Sequence, residues 1–275
     1  MTLIVARRLG VSVLTIGDTR FSKQTHEPDR SLFSGGLKVV ALDSTTAVCF
    51  AGDVDNAHKA LGSIFKNCGR TTAWMEDHLS TYSRSGATDF LLIETRPVPS
   101  IKRFAAGSWS LEEMTWIGDP AAFNVYQAGF NADLLPHEYS HSSFRQIARR
   151  MENGFSELLG KEPATIGGFA TQLGMDPDYG ATYGGVSSFE GSLTDDGPQN
   201  ATTATEAGSF TYALLVPKSR KVGAIAIHIN EAMGGTLFFP KASWKPIQVP
   251  GTLADLIRFA DEQYGLQLEG RHVHD

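Results

Sequence analysis

The chain has 275 residues, of which 41% are hydrophobic and 20% charged, enough apolar material for a sizeable core. Its formal net charge of −6 gives no basic footprint for nucleic acid, and no apolar run approaches the length of a membrane span. Two cysteines without a pairing pattern, and an N-terminus without the charged-then-apolar layout of a signal peptide, lead us to expect a cytoplasmic protein with reduced thiols.

In chain order, TLIVARRLGVSVLTIGDTR alternates apolar and polar residues on both sides of Gly10 and predicts a β-hairpin. After a loop rich in Ser, Asp, Pro and Gly, LKVVALDSTTAVCFAG predicts a second strand pair turned at Asp43-Ser44-Thr45. A helix starts just past Asp53, with Val54, Ala57, Leu61, Ile64 and Phe65 as its apolar stripe, and another runs from Thr72 to Tyr82, ended by Gly86. Strand ATDFLLIET turns at Pro97-Val98-Pro99 and returns as the strand SIKRFAAGSW. In EEMTWIGDPAAFNVYQAG a strand ends at Ile117, Asp119 is an N-cap, Pro120 takes the first helical position, and the helix reaches about Ala128. The spacing of Phe144, Ile147, Met151, Phe155 and Leu158 predicts a long helix that stops at Gly160, ahead of the strand GFATQL.

Residues 174–208 carry many Gly, Asp, Ser and Thr and read as a long irregular insertion, a candidate substrate entrance or subunit contact. FTYALLVPKSRKVGAIAIHI then reads as a hairpin turned at Pro217 to Arg220, and GGTLFFP as a short strand. The chain closes with a helical extension over about 250–275, in which Thr252 opens an amphipathic helix and the polar end from Glu269 is frayed. The expected organisation is a single α+β domain over 1–275 with helices outside and antiparallel sheets inside.

The residues that carry chemistry lie early in the chain. A hydroxyl is a weak nucleophile, but a threonine that heads its chain has an α-amine of pKa about 7.7 to 8.0 within reach of its own Oγ. Removal of Met1, expected because the next residue is as small as Thr, would leave Thr2 in that position. Asp18 follows Thr2 by sixteen positions within Gly17-Asp18-Thr19-Arg20, and Gly52 follows Lys38 by fourteen. Taken singly, each has a plainer reading: a strand residue, a turn carboxylate, a solvated strand end, and a turn before the Asp53 N-cap.

Taken together, these residues and spacings resemble the proteasome β-subunit group of N-terminal-nucleophile hydrolases, including HslV-like peptidases. The resemblance is specific over residues 2 to 66 and weak beyond about 130. It implies a four-layer αββα sandwich of two antiparallel sheets, with Thr2 as nucleophile, Asp18 and Lys38 as its charged partners, Arg20 in support, and the Gly52 N–H as oxyanion donor. It places the specificity pocket at Phe21, Phe50 and Val54, with an apolar preference. Asp119 stands where the family has a Ser near the threonine amine, and a carboxylate there would raise the amine's pKa. Glu162 and Thr165 have the spacing of an acidic residue and a Ser that steady the threonine. The resemblance further implies a threonine peptidase or amidase acting through an acyl-enzyme, a peptide or protein substrate, a homo-oligomeric ring, and no cofactor.

Three other readings stay open. His137-Glu138-His141 matches H-E-x-x-H, in which two His on one helix face hold zinc with Glu138 as base and Glu162 as a third ligand. Pro136 ahead of the first His and Ser142-Ser143 behind the second argue against it. The threonine could instead transfer its acyl group to an amine, as an N-terminal-nucleophile ligase does, or the chain could be a noncatalytic ring or scaffold protein.

Overall fold

The computed structural model describes residues 2–21, 32–33, 35–132, 143–161, 166–184, 189–190 and 212–272. Among them the chain forms β1 (Leu3–Leu9), β2 (Ser12–Asp18), β3 (Val39–Ala41), β4 (Thr46–Gly52), α1 (Val54–Lys66) and α2 (Thr72–Ser83). Next come β5 (Thr88–Glu94), β6 (Ser100–Ala105), β7 (Ser108–Glu112), β8 (Met114–Gly118), α3 (Pro120–Asn131) and α4 (Phe144–Leu159). The remainder is β9 (Gly168–Asp176), β10 (Gly180–Tyr183), β11 (Phe189–Glu190), β12 (Tyr212–Pro217), β13 (Ile225–Ile229), β14 (Gly234–Phe238), β15 (Ile247–Pro250), α5 (Leu253–Tyr264) and β16 (Leu268–His272).

The fold is α+β, with three antiparallel sheets among the described residues. The first runs β10-β9-β2-β1-β8, with β11 also pairing β9; the second runs β3-β4-β5-β6-β7; the third runs β15-β14-β13-β12-β16. Successive strand residues point to opposite faces, so each sheet divides its apolar side chains between two cores. In β1, Ile4 and Ala6 join a central core while Leu3 and Val5 pack under α3 and α4. In β4, Ala47, Cys49 and Ala51 join that same central core, whereas Val48 and Phe50 meet Ala57, Leu61 and Ile64 of α1 and Leu79 of α2. Leu214, Ile225 and Ile227 of the third sheet also enter the central core, and Leu215, Ala226 and Leu237 lie under Leu256 and Ala260 of α5. Because both faces are covered, β4 and β5 are almost wholly buried.

The helices start where side chains satisfy their first N–H groups. Asp53 accepts from Asn56 N, Asp119 from Ala121 N and Ala122 N, and Ser143 and Thr252 each form a capping box, contacts worth about 1 kcal/mol apiece.

Several expectations are corrected. Where two sheets were expected, the strands of the described residues form three hydrogen-bonded sheets. The run SIKRFAAGSW is two strands, β6 and β7, because Ala106 and Gly107 take φ of 50° and 82° and turn the chain. Residues 174–183 are not a loop: β9 continues to Asp176 and pairs with β10. The stretch from about residue 250 is not only helical: the end from Glu269, expected to fray, continues β16 and pairs along β12 as far as His272. No described helix is long and apolar enough to cross a membrane.

Candidate active site

The β1–β2 hairpin pairs Ile4 with Gly17, a register that brings the ends of the two strands, Leu3 and Asp18, side by side. The Leu3 N–H donates to Asp18 Oδ1 at 3.2 Å. Lys38, immediately ahead of β3, reaches into the same place. Its Nζ donates to Asp18 Oδ2 at 2.8 Å and to Thr2 Oγ1 at 2.6 Å. Gly17 stands close by with little room for a side chain, since a Cβ there would lie 3.0 Å from both Ile4 Cγ1 and Val39 Cγ2.

All three side chains are removed from water, with Thr2 5%, Asp18 0% and Lys38 1% exposed. Burial pushes the Asp18 carboxyl up, against the opposing pull of the Lys38 ammonium and the N–H groups of Leu3 and Gly167. Burial likewise pushes Lys38 down, opposed by Asp18 and assisted by the Arg20 charge. The pair is therefore one in which each ion depends on the other for its charge.

Arg20 is 3% exposed, and its Nη1 donates to the Ile166 carbonyl at 3.3 Å while its own N–H donates to Gly167 O at 3.0 Å. It thereby fixes the strand approach from which the Gly167 N–H reaches Asp18 Oδ2 at 3.5 Å. Thr19 completes the same clasp by accepting from Phe169 N at 2.9 Å. Gly168, at φ 71°, leaves room for that hydroxyl, since a Cβ there would stand 2.3 Å from Thr19 Oγ1.

Gly52 ends β4 with φ 111°. Asp53 N donates to Ala87 O at 2.9 Å, on the β5 side, and Phe50 N donates to Lys38 O at 3.2 Å, on the β3 side. Gly52 itself is exposed at the strand end. The same strand-Gly-Asp-helix device recurs at Gly118-Asp119, with φ 110° at Gly118. There the Asp119 N–H holds the Thr2 carbonyl at 2.8 Å, and its carboxylate is committed to capping α3.

Compared with known proteins, the chain matches no family model and no curated sequence. The site must speak for itself.

The structure thus brings Thr2, Asp18, Lys38 and Arg20 together, with Asp119 at the Thr2 carbonyl. Phe21 and Phe50 meet beside them, ring centroids 6.5 Å apart, and Lys38 Nζ lies 5.7 Å over the Phe21 ring. Val54 opens α1, half-buried, outside that aromatic cluster among the described residues. Glu162, Thr165, His137, Glu138 and His141 lie outside the described residues. Sequence reasoning missed Thr19, whose signal was its place inside the Gly-Asp-Thr-Arg run. It also missed His58, half-buried one turn past Val54 and edge-on to both phenylalanines, at 5.6 and 5.9 Å.

Proposed function

We propose that this chain is a threonine-type peptidase or amidohydrolase of the N-terminal-nucleophile kind, active once Met1 is removed and Thr2 heads the chain. The observation that carries the reading is the Lys38 Nζ contact to Thr2 Oγ1 at 2.6 Å, made by a lysine itself held by Asp18 at 2.8 Å. A buried ion pair costs several kcal/mol per ion in desolvation, and packed apolar side chains would stabilise the fold as well. Aiming that pair at a threonine hydroxyl next to the chain end is accounted for by nucleophile activation.

In the mechanism, the freed Thr2 amine takes the Oγ proton, directly or through a water, and Oγ bonds to an amide carbonyl carbon. The Lys38 ammonium keeps the amine's pKa low and stabilises charge on Oγ, while the Gly52 N–H donates to the carbonyl oxygen as it becomes an oxyanion. The amine passes the proton to the leaving nitrogen as the C–N bond breaks. Water then attacks the resulting ester and restores the Oγ hydroxyl. The Asp119 carboxylate is turned to the first N–H groups of α3.

The four-layer αββα arrangement belongs to the proposal, with the second and third sheets together making one of its two β layers, since both contribute side chains to the central core. It is supported by α3 and α4 packing outside the first sheet, α1 and α2 outside the second, and a core shared between their inner faces. A peptide or protein substrate, a homo-oligomeric assembly and a cytoplasmic setting, where an aminopeptidase would remove Met1, complete it. The test is amide cleavage of fluorogenic peptides by wild type and Thr2→Ala. The reading expects turnover by the first and none by the second, and equal turnover by both would refute it.

A further inference from the structure

β7 ends the second sheet, with β6 on one side and, among the described residues, no strand on the other. Ala106 and Gly107, at φ 50° and 82°, form the two-residue loop of a hairpin in which Ala105 faces Ser108. In such a hairpin the pair that flanks the loop exchanges both backbone hydrogen bonds, and the alternation continues from there. Ser108, Ser110 and Glu112 therefore turn their N–H and C=O groups toward β6, while Trp109 and Leu111 turn theirs to the open edge. The side chains of these two share one face and are 46% and 64% exposed. Trp109 rests beside Phe104, ring centroids 6.4 Å apart, and Lys102 Nζ lies 5.8 Å from its ring. Open edges are ordinarily guarded by a lysine, a proline or a bulge. The register of β7 on β6 is unbroken, and SerTrpSerLeuGlu holds neither lysine nor proline.

We propose that β7 pairs antiparallel with β7 of a second copy of this chain, about a two-fold axis at Ser110. Only in that antiparallel register do both outward residues of one β7 meet both outward residues of the other. Trp109 exchanges its backbone hydrogen bonds with the partner's Leu111, and Leu111 with the partner's Trp109. Each indole also lies against a leucine on the same face, an aromatic-aliphatic pair made twice. Charge agrees with this register. Glu112 stands opposite the partner's Ser108, and Glu113 beyond it opposite the partner's Gly107, so no carboxylate faces another. Two such strands make a contact at the small end of specific interfaces, below about 1,200 Å². The dimer is accordingly weak and concentration-dependent. It uses no residue of the Thr2 site and stands apart from the chemistry proposed there.

The experiment is disulfide trapping in the full chain carrying Cys68→Ser, which removes the exposed native thiol and keeps the buried Cys49. Ser110→Cys puts a thiol on the axis, in a non-hydrogen-bonded pair with Cα atoms about 4.5 Å apart, a separation that a disulfide spans. Ser108→Cys is the control, because the two copies of that position lie roughly 14 Å apart along the paired strands. Under mild oxidation Ser110→Cys should give a covalent dimer and Ser108→Cys should not. Adding Leu111→Lys to Ser110→Cys should slow cross-linking by about tenfold or more, since each dimer loses two aromatic-aliphatic pairs and gains a lysine on each edge. Cross-linking at both positions alike, or at neither with the fold intact by circular dichroism, would overturn the proposal. Sedimentation equilibrium of wild type and Leu111→Lys reads the same contact without engineered thiols. The variant should need about tenfold more protein for the same extent of association, and identical isotherms would likewise overturn the pairing.

Discussion

Gly17 faces Val39 across two sheets, and a Cβ added to Gly17 would stand 3.0 Å from Val39 Cγ2. A side chain there would press on β3, which follows directly on Lys38. Gly17→Ala should push β3 outward, costing about 1 to 3 kcal/mol as an overpacked core position does, and should reduce Thr2 reactivity far more than that loss of stability explains. Calorimetry beside electrophile labelling separates the two effects. A variant that labels at the wild-type rate would mean that the close approach is dispensable.

The buried pair makes a second prediction. Asp18→Asn or Lys38→Met alone strands the partner in a site of almost no exposure, and each should cost about 3 to 5 kcal/mol. The double variant leaves no charge behind and should recover much of that loss, while remaining inactive. Urea unfolding of the four proteins measures the coupling directly. Additive losses would contradict a mutually dependent pair.

Much of this arrangement was legible in the sequence, for identifiable reasons. The alternation of β1 and β2 about Gly10 announced the hairpin, and the spacings of Thr2 to Asp18 and Lys38 to Gly52 singled out residues of which Thr2, Asp18 and Lys38 then meet. The third sheet was legible in part: its β12–β13 hairpin and β14 were read from their apolar runs, and β15 and β16 were not. Its β15 is IleGlnValPro, whose alternation is too short to mark a strand, and β16 is LeuGluGlyArgHis, with no apolar alternation; both are strands because β14 and β12 offer them open ladders. The β9–β10 turn reads as irregular because Asp176-Pro177-Asp178-Tyr179-Gly180 dominates the pattern, although Asp176 Oδ1 closes that turn on Asp178 N and Tyr179 N. The stacking of Trp244, between β14 and β15, on His58 of α1 gave no signal, since nothing local connects the two.

The acid-base scheme fixes the shape of the pH profile. The Thr2 amine must be unprotonated, so labelling should rise with pH through a value below the usual 7.7 to 8.0 or so of an α-amine. The Lys38 ammonium must be charged, so labelling should fall again as that proton is lost. Because burial lowers the Lys38 pKa from 10.5, the falling limb should lie below the range of an exposed lysine. A rate that climbs without a maximum through pH 10 or so would assign activity to neutral Lys38 instead.

The two thiols should behave oppositely. Cys49 is buried in β4, and burial pushes its thiol pKa up, whereas Cys68 is exposed beyond α1. Iodoacetamide should therefore modify Cys68 in the folded protein and reach Cys49 only after denaturation. Rapid labelling of both in the native state would contradict the packing of the second sheet on the central core.

The central claim is that Thr2, freed of Met1, is a nucleophile held by Lys38. Its most direct measurement is the intact mass of the protein before and after exposure to a threonine-directed epoxyketone, with the adduct mapped by peptide fragmentation. The account predicts a chain lacking Met1 that gains one adduct, located on Thr2, and that gains none when Lys38 is changed to Met. A chain that keeps Met1, or one that takes up no adduct at Thr2, would contradict it.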